Sequence, residues 1–111
     1  MCGIIAAIGS NCHNIILDGL KQLQNRGYDS AGITTYNNKY YTNKYVSDHV
    51  SAIDKLEKII DNHSNCRIGI GHTRWATHGS KVERNSHPHT SSNNIFTLVH
   101  NGIINNYSFL K

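Results

Sequence analysis

The sequence has few cysteines, a single proline and no long apolar segment. Its three cysteines, among 111 residues, are odd in number and show no CxxC spacing. Neither a disulfide framework nor a zinc ribbon is therefore predicted, and we expect reduced thiols. No apolar run approaches the roughly 20 residues of a membrane-spanning helix, and the N-terminus lacks the basic flank of a signal peptide. We expect a cytoplasmic protein with no membrane partner.

The sequence also lacks any block of like charge. Its 11 lysines and arginines are spread along the chain against 7 acidic residues, for a net charge of +4. A mild excess of this kind favours weak attraction to anionic metabolites and does not identify a nucleic-acid surface. The tyrosines and lysines of residues 36–45 could bind bases, but an exposed hairpin with β-favouring tyrosines explains them more simply. No nucleic-acid partner is predicted.

Hydrophobic patterning predicts the strands of one small α+β domain. Residues 3–8 form a continuous apolar run, typical of a strand that is covered on both faces. Residues 31–36 and 40–46 flank an Asn-Asn turn and predict a hairpin. Residues 67–73 predict a further strand, and residues 94–100 another after a long polar stretch.

Two segments have apolar residues at helical spacing, residues 16–23 and residues 50–60. Candidate N-caps are Asn11 or Asn14 for the first helix and Ser47 or Asp48 for the second. Residues 103–111 begin a further helix or strand, and the sequence stops there without a closing cap. We therefore expect an element that is cut in its middle.

The start of the chain places a cysteine directly behind the initiator methionine. Methionine is generally removed before a small residue, so we expect Cys2 to begin the mature chain. A thiol has a reference pKa of about 8.5 and an α-amine about 7.7 to 8.0, so the amine can take the thiol proton near pH 7. Alternatively, Cys2 is a small apolar residue at the start of a strand.

Residues 26–32, 72–79 and 100–102 combine polar side chains with glycine at the ends of predicted elements. Such ends can present loops to one pocket, so we expect them to converge near Cys2. The Asn101 side-chain amide and the Gly102 N–H could stabilise an oxyanion. Arg74 could hold a substrate carboxylate, with neutral hydrogen bonds from two further residues of the loop. Those residues are Thr77 and His78. A surface ion pair for Arg74 and a plain hairpin turn at residues 101–102 are the alternatives.

Five motifs, MCGI, RGYDSAG, HTRWATHG, NSHPH and VHNGIINNY, carry a family resemblance. In order and spacing they resemble the glutaminase domain of the glutamine:fructose-6-phosphate amidotransferases, within the class II glutamine amidotransferases. The resemblance implies an N-terminal nucleophile hydrolase fold, an αββα sandwich of antiparallel sheets between helices. Residues 1–111 would be the N-terminal part of a type-2 amidotransferase domain, and the sandwich would be incomplete in this chain.

The resemblance also implies roles for single residues. Cys2 would be the nucleophile that forms a γ-glutamyl thioester, with its own amine as the base, and Asn101 and Gly102 would form the oxyanion hole. The glutamine backbone would be held by Arg74, Thr77 and His78. Trp75 would gate the passage of ammonia. Arg26 and Gly27 would line the surroundings of the nucleophile.

The activity implied is hydrolysis of the glutamine amide, which supplies ammonia for the synthesis of glucosamine 6-phosphate from fructose 6-phosphate. Glutamine would be the substrate, and no cofactor is implied. The sugar-isomerase domain and the aspartate that binds the glutamine α-amine lie further along in the family and are absent from this chain. A homo-oligomer is expected only for the full-length enzyme.

Three alternatives stay open. The chain could be a catalytically inactive fragment or remnant of such an enzyme, because open sheet edges and exposed apolar faces usually cause aggregation. It could also be the glutaminase domain of another class II amidotransferase. Finally, the eight histidines could include a zinc site around residues 87–89. We favour a structural loop there and predict no metal.

Overall fold

The protein consists of an antiparallel sheet with helices on one face. The computed structural model describes residues 2–23, 29–74, 83–102 and 105–110. The strands are β1 (Gly3–Ile8), β2 (Ser30–Tyr36), β3 (Tyr40–Val46), β4 (Ile68–Arg74), β5 (His89–Thr90) and β6 (Thr97–Leu98). The helices are α1 (His13–Leu23), α2 (Ala52–Ile59) and α3 (Tyr107–Leu110), with 3-10 turns at Ile60–His63 and Glu83–Asn85. The predicted α+β class is confirmed.

Four strands form the main sheet in the order β1-β4-β2-β3, with antiparallel pairing throughout. The strand β1 therefore lies at one edge of this sheet. Its residues alternate in exposure, and Ile4 and Ile8 are 43% and 85% exposed. The prediction of a strand covered on both faces is wrong for the described structure, because α1 covers one face of β1 and leaves the other open. The predicted hairpin of β2 and β3 is confirmed.

The core lies between the main sheet and the two longer helices. Its apolar side chains come from α1, α2, β2, the start of the 3-10 turn Ile60–His63 and the two buried cysteines. The fully buried members with large side chains are Ile16, Leu20, Ile33 and Leu56. Both predicted helices are therefore confirmed by their buried faces.

The helix caps differ from the predictions. The helix α2 is capped by Ser51, whose side chain accepts a hydrogen bond from the Asp54 N–H at 3.1 Å. Ser47 instead accepts from the Ala52 N–H at 2.8 Å. At α1, Asn14 lies inside the helix, and Asn11 accepts from the Asn65 N–H at 2.8 Å. Ser47 and Ser51 thus both bind N–H groups of the first turn of α2, whereas Asn11 binds a neighbouring loop, and spacing alone does not rank such acceptors.

The segment from residue 83 to residue 102 runs over the face of the sheet that the helices do not cover. The predicted strand at 94–100 is reduced to the two residues of β6, which pair with β5. The Tyr40 hydroxyl anchors this small hairpin by donating to the Ile95 carbonyl at 2.8 Å. Within the described ranges, no helix has the length and apolar character needed to cross a membrane.

Candidate functional site

Three chain segments meet at one end of the main sheet. The register pairs Gly3 with Thr73 and Ser30 with Arg74, so the start of β1, the end of β4 and the start of β2 are neighbours. The Asp29 N–H donates to the Arg74 carbonyl at 2.9 Å and extends this contact by one residue. Cys2, directly before β1, therefore lies beside the residues where two of the predicted polar segments join the sheet.

The alternation of β4 separates the two faces of the sheet at this end. Gly71 lies against Ile16 and Leu20 of α1, so it belongs to the helix-covered face. Its neighbour His72, and Arg74 two residues on, belong to the opposite face. Both side chains are buried, with exposures of 1% and 9%, because residues 83–102 cover them.

Asn101 connects this end of the sheet to Cys2. Its side-chain Nδ2 donates a hydrogen bond to the Cys2 carbonyl oxygen at 3.0 Å. Its Oδ1 lies 2.7 Å from Nε2 of His72. The next residue, Gly102, has a φ of +137°, which only glycine adopts readily. Asn101 thus lies beside Cys2 as predicted, although the two residues are 99 positions apart in the chain.

A row of histidines continues from this contact. The rings of His72 and His87 stack with centroids 4.2 Å apart, and those of His87 and His89 lie 4.3 Å apart. The His100 N–H donates to Nδ1 of His87 at 3.3 Å. Burial lowers the pKa of His87 to about 3, helped by the neighbouring His72, and burial also lowers the pKa values of His72 and His89. These rings are therefore neutral at pH 7.

The segment around Pro88 is held against the sheet by a glycine and a lysine. A Cβ added at Gly32 would overlap the His87 carbonyl oxygen and lie 2.9 Å from the carbonyl carbon. The Lys44 ammonium donates to the carbonyls of Ser86 and Pro88, at 3.0 and 3.2 Å. Among the described residues, no three side chains of the metal-ligating types are grouped to hold an ion. Residues 86–89 are thus held against the sheet through their backbone carbonyls.

The remaining predicted site residues divide into two groups. Arg74 lies on the same face as His72, and its NH1 donates to the Asn85 carbonyl at 3.0 Å. The others lie outside the described residues, and their predicted roles stay predictions. They are Arg26, Gly27, Trp75, Thr77 and His78.

Two residues near Cys2 were given no role by sequence reasoning, His72 and Gly32. A signal for His72 was available, because the two-residue period of a strand places it on the same face as Arg74. Gly32 could not be recognised in the same way, since its partner His87 is 55 positions further along the chain. A cavity of about 1000 Å³ lies elsewhere, between the sheet and the hairpin of β5 and β6. It is lined by residues such as Tyr36, Tyr40 and Thr97, and by none of the predicted site residues.

The fold is α+β, its antiparallel sheet begins beside Cys2, and the side-chain amide of Asn101 is bound to that cysteine. This arrangement is compatible with part of an N-terminal nucleophile hydrolase domain. No protein-family model matches the chain. Known relatives identify the family more closely. The whole chain is 50% identical over 113 residues to the glutamine–fructose-6-phosphate aminotransferase [isomerizing] of Staphylococcus aureus (strain Mu50).

Relatives of the same name give similar values. The identity is 47% over 112 residues in Geobacillus kaustophilus (strain HTA426) and 46% over 112 residues in Listeria monocytogenes serovar 1/2a. All of this chain is covered in each comparison, but it spans 18% of the length of each relative. The chain is therefore a relative of the N-terminal part of glutamine–fructose-6-phosphate aminotransferases, and the family resemblance is confirmed.

Proposed function

We propose that this chain is the N-terminal part of a glutaminase domain that hydrolyses the side-chain amide of glutamine. The observation that carries the proposal is the 3.0 Å hydrogen bond from Asn101 Nδ2 to the Cys2 carbonyl. It holds a neutral N–H donor beside the one residue that can supply both a thiol and an α-amine. A carbonyl carbon attacked by this thiol would develop negative charge within reach of such a donor.

The proposed reaction begins once Met1 has been removed. The Cys2 thiol proton moves to the free α-amine, and the sulfur attacks the glutamine amide carbon. Asn101 Nδ2 and the Gly102 N–H stabilise the resulting oxyanion. Collapse of this intermediate breaks the C–N bond, and the amine returns its proton to the departing ammonia. Water then hydrolyses the γ-glutamyl thioester to glutamate and restores the thiol.

Arg74 is the proposed partner of the glutamine α-carboxylate. It lies on the same sheet face as His72, and its guanidinium can form paired hydrogen bonds with a carboxylate.

The name shared by the relatives suggests where the ammonia goes. We infer that the ammonia is used to convert fructose 6-phosphate to glucosamine 6-phosphate. This second reaction would take place in the part of such an aminotransferase that follows the glutaminase domain. Under this proposal Cys2 is the first residue of the mature chain, and residues 1–111 are one part of a type-2 amidotransferase domain.

The test compares cysteine variants of the full-length gene product with Met1 removed, as checked by mass spectrometry. We expect the unaltered protein to release glutamate from glutamine and the Cys2→Ala variant to fall to background. Cys66→Ala is the matched control, because Cys66 is buried beside Cys12 rather than beside Asn101. It should retain the activity.

Two results would contradict different parts of the proposal. Equal glutamate release by the Cys2→Ala variant would exclude Cys2 as the nucleophile. No release by the unaltered protein, even with fructose 6-phosphate present, would exclude the glutaminase function. That second result would favour the alternative of an inactive remnant.

A further inference from the structure

The side-chain amide of Asn101 is bound at both of its ends. Nδ2 donates to the Cys2 carbonyl at 3.0 Å, and Oδ1 lies 2.7 Å from Nε2 of His72. A carbonyl oxygen can only accept a hydrogen bond, so Cys2 requires the NH2 group of the amide on its side. The amide oxygen then faces His72, and because this oxygen also only accepts, His72 must donate from Nε2. One hydrogen-bond pattern therefore fixes both the orientation of the amide and the tautomer of the ring.

His72 is held far more rigidly than Asn101. It pairs with Ile4 on one side and with Gly32 on the other, in the middle of the sheet. Its ring is 1% exposed and is stacked on the ring of His87. Asn101, by contrast, is exposed and lies in the loop after β6. A side chain in such a loop can turn its amide by half a rotation unless a fixed partner distinguishes the oxygen from the nitrogen.

We propose that His72 is a positioning residue that keeps the NH2 group of Asn101 turned toward Cys2. The proposal rests on the proposed glutaminase function and extends it to a residue that would not touch the substrate. Without the Nε2–H of His72, the Cys2 carbonyl alone would orient the amide, and the Asn101 amide oxygen could turn toward Cys2 more often. It would then repel the oxyanion that the NH2 group is needed to stabilise.

His87, whose ring stacks on His72, also holds the loop that carries Asn101. Nδ1 of His87 accepts the His100 N–H at 3.3 Å, directly before Asn101 in the chain. The two histidines thus hold successive parts of this loop, His87 its backbone and His72 its functional amide. Because a hydrogen bond to an amide oxygen needs a donor, a ring without one removes the His72 partner of the Asn101 amide at that end.

The test is a kinetic comparison in the full-length gene product with Met1 removed. His72→Phe keeps a planar ring but removes the donor. We expect kcat for glutamine hydrolysis to fall about ten- to a hundredfold with little change in KM, because loss of an oxyanion donor itself costs about 10² to 10³ in kcat. His72→Gln offers an amide N–H in place of the imidazole N–H and should recover most of kcat. In an Asn101→Ala background, His72→Phe should have little further effect.

His63→Gln is the matched control for the loss of a buried histidine. His63 is also 1% exposed with both ring nitrogens hydrogen-bonded, but to Thr35 and Asn43 on the helix-covered face. Its replacement should lower stability and leave kcat unchanged. Nitrogen NMR of histidine-labelled protein gives a measurement that needs no variant, and His72 should be neutral and protonated at Nε2.

Each outcome decides between the two proposals. An unaltered protein that releases glutamate, together with a His72→Phe variant of unchanged kcat, would overturn the positioning role and leave the proposed function standing. The Nδ1-protonated tautomer of His72 would overturn the positioning role as well. If the unaltered protein releases no glutamate, the proposed function fails, and the positioning role of His72 fails with it.

Discussion

Protonation of His63 should measurably destabilise the protein between pH 6.5 and pH 4. This residue ends the 3-10 turn Ile60–His63, and its ring is 1% exposed. Nδ1 lies 2.6 Å from the Thr35 hydroxyl, and Nε2 lies 2.9 Å from Asn43 Oδ1. Burial, followed by the nearby His13, lowers the pKa of His63 from 6.5 to about 4. The folded protein therefore holds this ring in its neutral form.

The size and sign of the effect follow from this difference in pKa. Between pH 6.5 and pH 4 the unfolded chain binds a proton at His63 and the folded protein does not, so stability rises with pH across this window. At about 1.4 kcal/mol per pKa unit, the contribution of this one group is at most about 3 to 4 kcal/mol. It should be fully lost below pH 4 and fully regained above pH 6.5.

The assay is urea unfolding followed by far-UV circular dichroism at several pH values from about 7.5 down to 3.5. The His63→Gln variant should be less stable than the unaltered protein at neutral pH, and its free energy of unfolding should fall less steeply as the pH is lowered. His49→Gln is the control, because His49 is exposed. It should retain the fall in the free energy of unfolding that protonation of His63 causes. A difference between the unaltered protein and His63→Gln that stays constant from pH 7 to pH 4 would refute the reasoning.

Two further predictions concern thiols and packing. Cys12 and Cys66 are 1% and 2% exposed, and burial, followed by the contact with Cys66, raises the pKa of Cys12 to about 11. Iodoacetamide at neutral pH should therefore alkylate Cys2 first in peptide mass mapping, and equal labelling of all cysteines in the folded protein would contradict the structure. Gly32→Ala should lower the free energy of unfolding in urea by about 1 to 3 kcal/mol, because its Cβ overlaps the His87 carbonyl. An unchanged unfolding midpoint would contradict this close approach.

Periodicity predicts the elements of this protein well because each pattern reports a local arrangement. The strands β2 and β3 begin and end within one residue of their predicted bounds, and both helices bury most of the apolar residues at helical spacing, with Val50 exposed before α2. The exposure of Ile8 was not predictable in this way, since an apolar run does not say whether its strand lies inside a sheet or at its edge. Strand order depends on pairing between distant segments.

The same limit applies to the candidate site. Motifs indicated that Cys2, Arg74 and Asn101 belong to one site, and the described residues bring their segments to one end of the sheet. The hydrogen bond between His72 and Asn101 joins residues 29 positions apart, and no pattern in either segment implies it. Such contacts follow from the sheet register and from the path of residues 83–102 over the sheet.

The alternation along β4 explains why one short strand can serve both stability and the proposed chemistry. Its small residues on one face, Gly69 and Gly71, let Ile16 of α1 approach the sheet closely. Its polar residues on the other face, His72 and Arg74, lie under residues 83–102, where His72 contacts Asn101 and Arg74 contacts Asn85. An imidazole suits the buried position, since burial keeps it neutral while Nε2 still donates, whereas a permanent cation there would have to be desolvated. Substitutions at glycines of β4 should therefore act through folding, and substitutions at His72 should act through the orientation of one amide.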